Sequence, residues 1–288
     1  MTMPSMLSEY EPPALIPSSL QIYDCGTLLS AGDYDDLLCA KRLLESPGLT
    51  ARLADFIGSP LEGAMRYLPE GWQQRLSEIT HLALLRGLDL AIGTLGSRRG
   101  ALPSRNWLHR SLVTFSGSVG GWAGLASVAV ELPISTGIIL RSIADIARAE
   151  GHDLCRLDVR LSCLEVLALG GSGKKDDATE NGYWAMRALL AKTLADAGGY
   201  ITEHGLSRKA GSQVMKLVLT IAERFGILVT EEVAAKAIPV IGAVSGGLIN
   251  LLFINHFQQM ARGHFIVKRL EQVYGMEVLR EQYRRCVI

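Results

Sequence analysis

Two stretches of nineteen residues without a charge constrain this chain more than any other feature. Residues 112–130 read LVTFSGSVGGWAGLASVAV and residues 237–255 read AIPVIGAVSGGLINLLFIN. About 17 to 25 apolar residues span a bilayer as a helix, so each stretch is long enough to cross one and short enough to be buried in protein. Glycine placement adds a second constraint. Gly117 with Gly121, Gly120 with Gly124, and Gly242 with Gly246 are four apart, and Gly247 follows directly. On a helix this spacing gives a flat strip where two backbones can approach closely. Each interior glycine costs about 0.8 to 1.0 kcal/mol relative to alanine in water, so several in one helix require a packing reason. Trp122 lies in the first strip, where it anchors either a core or a lipid contact, and its indole N–H needs a partner wherever it is buried. Three arrangements meet these conditions: a hairpin buried in a helical bundle, a hairpin that contacts or enters lipid, and a permanent pair of spans.

Composition points the same way. Of 288 residues, 48% are hydrophobic and 30 are glycine, while only 20% are charged. Ordinary domains carry about 25% charged residues, so the chain has ample apolar surface to offset its ordering entropy, which excludes disorder as its main state. The 29 basic residues balance 29 acidic ones, and bulk charge gives no reason to expect nucleic acid. The balance hides an uneven distribution. Residues 1–50 hold seven acids against Lys41 and Arg42, a net of −5, and residues 260–288 hold six bases against three acids, a net of +3. A basic C-terminal segment can be an ordinary solvated face or can face anionic lipid. Cys25, Cys39, Cys155, Cys163 and Cys286 are scattered, without a CxxC, as expected of reduced thiols in the cytoplasm. The first residues have neither a basic n-region nor an apolar h-region, which also points to the cytoplasm.

The periodicity is helical throughout. Pro4, Pro12, Pro13 and Pro17 mark residues 1–34 as an extended arm, and residues 35–288 read as a single helical domain. Leu37, Leu38, Leu43 and Leu44 suit one helix, and Leu49, Leu53, Phe56 and Ile57 a second; a third covers 72–95. Pro133 is expected to open a helix over 134–150, and Pro239 one that runs towards Tyr274. Residues 154–162 alternate as a strand would, but the helical stripe Leu154, Leu157, Leu161, Leu164, Ala168 continues past Cys163, so they are assigned to a helix. Further helices are expected over 181–204 and 212–226, with GGSGKKDDATENG as a loop before the first. The fold class is therefore all-α: a compact multi-helix bundle containing two glycine-rich apolar helical segments.

Four motifs carry a family resemblance. ELPISTGIILRSIADIARAEG, RLSCLEVLALGG, YWAMRALLAK and AIPVIGAVSGGLINLLFINHFQQMARGHFIVKRLEQVYG together resemble the EcsC protein family of bacteria, over roughly residues 35–284. The resemblance implies a helical, cytoplasmic or membrane-peripheral protein of a group named for a product encoded beside an ABC transporter, with no established activity. Asn255 stands before His256 where the family pattern has an acid, which weakens any role that requires that carboxylate.

Established catalytic spacings such as HExxH, GxSxG and GxGxxG are absent. GGSGKK fails as a phosphate loop, because Ala168 replaces its first glycine and Lys175 its closing Ser/Thr. Polar residues at the ends of apolar helices remain. Arg141, Asp145 and Arg148 share one face, Glu165 interrupts an apolar stripe, and His264 and Glu271 lie seven apart. These six are expected to form a buried polar cluster, with Arg141 pairing Asp145 or Glu165 to fix helix register. The chemical alternative is an acid/base or metal site made from Asp145, Glu165, His256 and His264. No cofactor and no bound metal are expected. Three functions follow: a membrane-peripheral accessory that contacts inner-membrane lipid or a membrane protein complex, a hydrolase-like enzyme with its cluster in an apolar pocket, and a module that forms homo-oligomers through the glycine strips.

Overall fold

The computed structural model describes residues 29–58, 61–94, 128–170, 180–205 and 211–287, with the side chains of 62, 92, 94, 180, 181 and 239–246 left out. Gly117, Gly120, Gly121, Trp122 and Gly124 lie outside the described residues, as do the surroundings of Gly242 and Gly246. Ten α-helices follow in order among the described residues, without a strand: α1 (Ala31–Leu44), α2 (Leu49–Ile57), α3 (Leu61–Met65), α4 (Trp72–Thr94), α5 (Val128–Ala149), α6 (Leu157–Glu165), α7 (Glu180–His204), α8 (Ser212–Ala237), α9 (Pro239–Tyr274) and α10 (Met276–Arg285). A 3₁₀ turn, Val166–Ala168, follows α6. The all-α expectation therefore holds.

The frame is α9. Its 36 residues make a rod about 54 Å long, started by Pro239 in the first turn, where a missing N–H costs nothing. Helices α1, α2, α5, α8 and α10 pack along it. Ile249, Phe253 and Ile254 of the second apolar stretch are buried and supply core, and Phe257 just beyond it is buried with them. Phe225 of α8 meets Phe253 and Phe257 at ring-centroid distances of 6.0 and 5.6 Å. Among the described residues no helix is long and apolar enough to cross a membrane.

Two glycines outside the strips make close approaches. A Cβ at Gly87 in α4 would lie 2.6 Å from Leu140 Cδ1 of α5, and one at Gly263 in α9 would lie 2.7 Å from Leu44 Cγ and 3.1 Å from the Ala40 carbonyl of α1.

Several boundaries differ from expectation. Helix α1 begins at Ala31, inside the expected arm, because Ser30 caps it: its hydroxyl accepts from the Asp33 N–H at 3.2 Å. Pro133 lies inside α5 rather than opening it. The Ser135 hydroxyl shares its one proton between the Glu131 and Leu132 carbonyls, at 3.0 and 3.2 Å. Helix α8 continues from 226 to 237 along an apolar face of Leu228, Val229 and Val233.

The uneven charge is also resolved by packing. Arg269 of α9 reaches Asp36 at 2.6 Å and Asp33 at 3.6 Å in α1, and the Tyr274 hydroxyl donates to Asp33 at 2.6 Å. Arg262 faces Glu150 at 3.6 Å, and Arg284 and Arg285 take Glu281 at 3.1 and 2.9 Å. Much of the basic end of the chain is thus matched internally, in part against its acidic beginning.

Candidate functional site

A cavity of about 470 Å³ lies between α6, α7 and α9. It exists because the facing side of α7 is small: Ala188, Ala191, Ala195, Gly198 and Gly199 recur at helical spacing and leave space opposite Leu157 and Leu161 of α6. Polar groups gather on other parts of the wall. Asp158, Ser162 and Glu165 come from α6, Arg187 from α7 and Lys268 from α9.

Each of these groups has a distinct environment. Arg187 makes a two-pronged pair with Glu271, its NH1 and NH2 donating to Oε1 and Oε2 at 2.5 and 2.9 Å, and its guanidinium lies 5.2 Å from the Trp184 ring centroid. Burial works against this charge, but the Glu271 carboxylate outweighs it, so the guanidinium holds its proton more tightly than usual. Lys268 Nζ donates to Ser162 Oγ at 2.6 Å and has no carboxylate within 4 Å among the described residues. Glu165 is 3% exposed, and burial raises its carboxyl above the ordinary range despite the opposing charges of Lys268 and Arg187. Its near neighbour is His264 Nε2, at 3.5 Å. His264 is fully buried, shares a hydrogen bond of 3.1 Å with the Tyr183 hydroxyl through Nδ1, and is held well below the ordinary histidine range first by burial and then by the charge of Lys268. It stays neutral.

The expected cluster is brought together in part. Glu165 and His264 meet, and Glu271 joins them through Arg187. Arg141 is exposed while Glu165 is buried, so that pair does not form. Asp145 takes Arg148 of its own helix at 2.8 Å. His256 lies eight residues before His264 on α9, about 12 Å along the axis, with its ring against Phe257 at 5.1 Å. Asp145, Glu165, His256 and His264 therefore do not converge as one chemical site. Among the described residues no three His, Cys, Asp or Glu side chains are placed to hold a metal ion.

Sequence reasoning missed Tyr183, Arg187, Ser162 and Lys268. The signal for them was spacing: Tyr183 and Arg187 are four apart, and His264, Lys268 and Glu271 follow at i, i+4 and i+7 on one face.

The EcsC protein family model matches residues 57–270 of the chain. The chain belongs to the EcsC family. The match takes in Ser162, Glu165, Arg187 and Lys268 of the cavity wall, whereas α1 and α10 lie outside it. Comparison with curated proteins and with solved structures returns no match.

Proposed function

We propose that this EcsC-family protein is a lipid-contacting accessory at the inner face of the cytoplasmic membrane. In this reading the cavity between α6, α7 and α9 holds the apolar chain of an amphiphile, with its anionic head at Lys268. The cavity itself carries the reading. Its volume of about 470 Å³ falls in the range of about 300 to 1,000 Å³ usual for ligand sites, which are largely apolar with a few convergent polar groups. A purely apolar ligand would leave the Lys268 ammonium unmatched, and a small polar ion would leave the Leu157, Leu161 and alanine wall against water. An amphiphile meets both demands. The protein would then serve a lipid pool or a membrane machine, such as the transporter that the family's name implies.

A hydrolase has less support, because Asp145 is engaged by Arg148 and His256 is remote from His264 on α9.

The test uses the full-length, delipidated protein. Native mass spectrometry with added laurate should show one-to-one binding, and the protein should float with phosphatidylglycerol vesicles at low salt. A folded, monodisperse protein that retains no laurate and stays at the bottom of the gradient would overturn the proposal.

A further inference from the structure

The charges around the cavity have a countable sum. Arg187 is committed to Glu271 by two hydrogen bonds. Lys268 is half-buried, donates to the Ser162 hydroxyl oxygen, whose own proton goes to the Asp158 carbonyl at 2.9 Å, and has no carboxylate within 4 Å among the described residues. Glu165 is 3% exposed and lines the same wall, with only the long contact to His264. Among the described residues one cation therefore faces an apolar-walled space with no carboxylate within 4 Å, since Asp158 on the same wall is taken by Arg156 at 2.9 Å.

We propose that the cavity selects amphiphiles whose head carries a single negative charge, received by Lys268, which Ser162 positions by accepting one of its hydrogen bonds. This inference rests on the lipid reading above and adds the chemical class of the head: a carboxylate or a phosphodiester, but not a doubly ionised phosphomonoester. Among the described residues a second negative charge in this space has no cation left to meet it, and an unpaired buried charge is costly.

Protonation sets the sign of the pH dependence. Burial raises the Glu165 carboxyl, so it is neutral over a wider range than an exposed glutamate. The groups facing it are Lys268, Glu271 and neutral His264 from α9, Arg187 and Tyr183 from α7, and Ser162 and Asp158 on its own helix. Arg148 of α5 acts on Cys163 instead, and α4, which also packs on α6, presents no charge among those that act most on Glu165. When Glu165 ionises it neutralises the field of Lys268, and a bound anion is repelled.

Calorimetric titration of the full-length protein with laurate, lauroyl-lysophosphatidylglycerol, dodecyl phosphate and lauroyl-lysophosphatidylcholine tests this. Laurate and the lysophosphatidylglycerol should bind alike. The zwitterion, and dodecyl phosphate at pH 8, should bind roughly tenfold or more weakly. Lys268→Gln should cost the two monoanions about tenfold or more and leave the zwitterion unchanged. Glu165→Gln should keep laurate binding at low pH and abolish its decline at high pH. Equal binding of all four lipids, or an unchanged pH profile in Glu165→Gln, overturns the charge selection while leaving the lipid reading intact. Absence of binding by any of them overturns both.

Discussion

Lys41 of α1 donates from its ammonium to the carbonyl oxygen of Cys286, 245 residues further along, at 2.9 Å. A second proton of the same group goes to the Tyr283 carbonyl at 2.9 Å, so one buried lysine caps the end of α10. Lys41→Met keeps the length of the stem and removes both donors. It should destabilise the protein by about 2 to 3 kcal/mol and expose residues 276–287 to protease first. A melting temperature within a degree of the parent, with unchanged cleavage, would contradict that role.

Substituting alanine for glycine should act with opposite signs at two helix positions. At Gly263 the new methyl meets Leu44 and the backbone carbonyl of Ala40, so crowding of about 1 to 3 kcal/mol outweighs the gain in helix propensity. At Gly137 in α5 the nearest atom is Leu90 Cδ2 at 3.9 Å, an ordinary contact, and Gly137→Ala should stabilise by nearly 1 kcal/mol. Urea unfolding of the two variants gives the comparison; stabilisation by Gly263→Ala as well would show that the α1–α9 approach has room for the methyl.

The pair between Arg187 and Glu271 predicts non-additivity. Arg187→Met leaves a largely buried carboxylate without its partner and should cost about 3 to 5 kcal/mol. Adding Glu271→Leu should recover most of that loss, since a well-packed apolar pair can replace a buried ion pair. A double variant no more stable than the single one would assign the cost to lost packing on Trp184.

Acid should reveal His256. Its imidazole is pushed down to about 4, by burial first and then by the charge of Arg52. Because the folded value lies below the unfolded one, the associated stability is complete above about pH 6.5. It is lost as pH falls towards 4, at about 1.4 kcal/mol per unit and about 3 kcal/mol in total. His256→Gln lacks this contribution, so the stability gap between parent and variant should narrow steadily between pH 6.5 and 4. His264, Glu165 and Glu232 titrate in both proteins, so the comparison isolates His256. A constant gap over that window would show that His256 can charge without unfolding.

Local pattern made the helices legible in the sequence. The third helix, expected over 72–95, runs Trp72–Thr94, and Pro239 begins α9 as its chemistry requires. Pairings between distant helices were much less legible. Periodicity shows that His264 and Glu271 share a face, but not that α7 covers it with Tyr183 and Arg187. Lys268 illustrates the same difficulty: it counts as part of a basic segment in sequence, yet it bonds to Ser162 on the cavity wall. Among the glycines, those in dense strips drew notice, while isolated Gly87 and Gly263 make the close helix approaches described here.

The contacts of Lys41 and Arg269 also order events during synthesis. The partners of α1 on α9 and α10 lie 233 to 245 residues downstream. At about 5 to 20 residues per second, α1 emerges on the order of 10 to 50 seconds before those partners do. Its buried leucines, Leu37 and Leu44, must be shielded by something else in the interval. A nascent chain stalled before residue 262 should therefore hold α1 in a form that chaperones bind, and release it once α9 has been made.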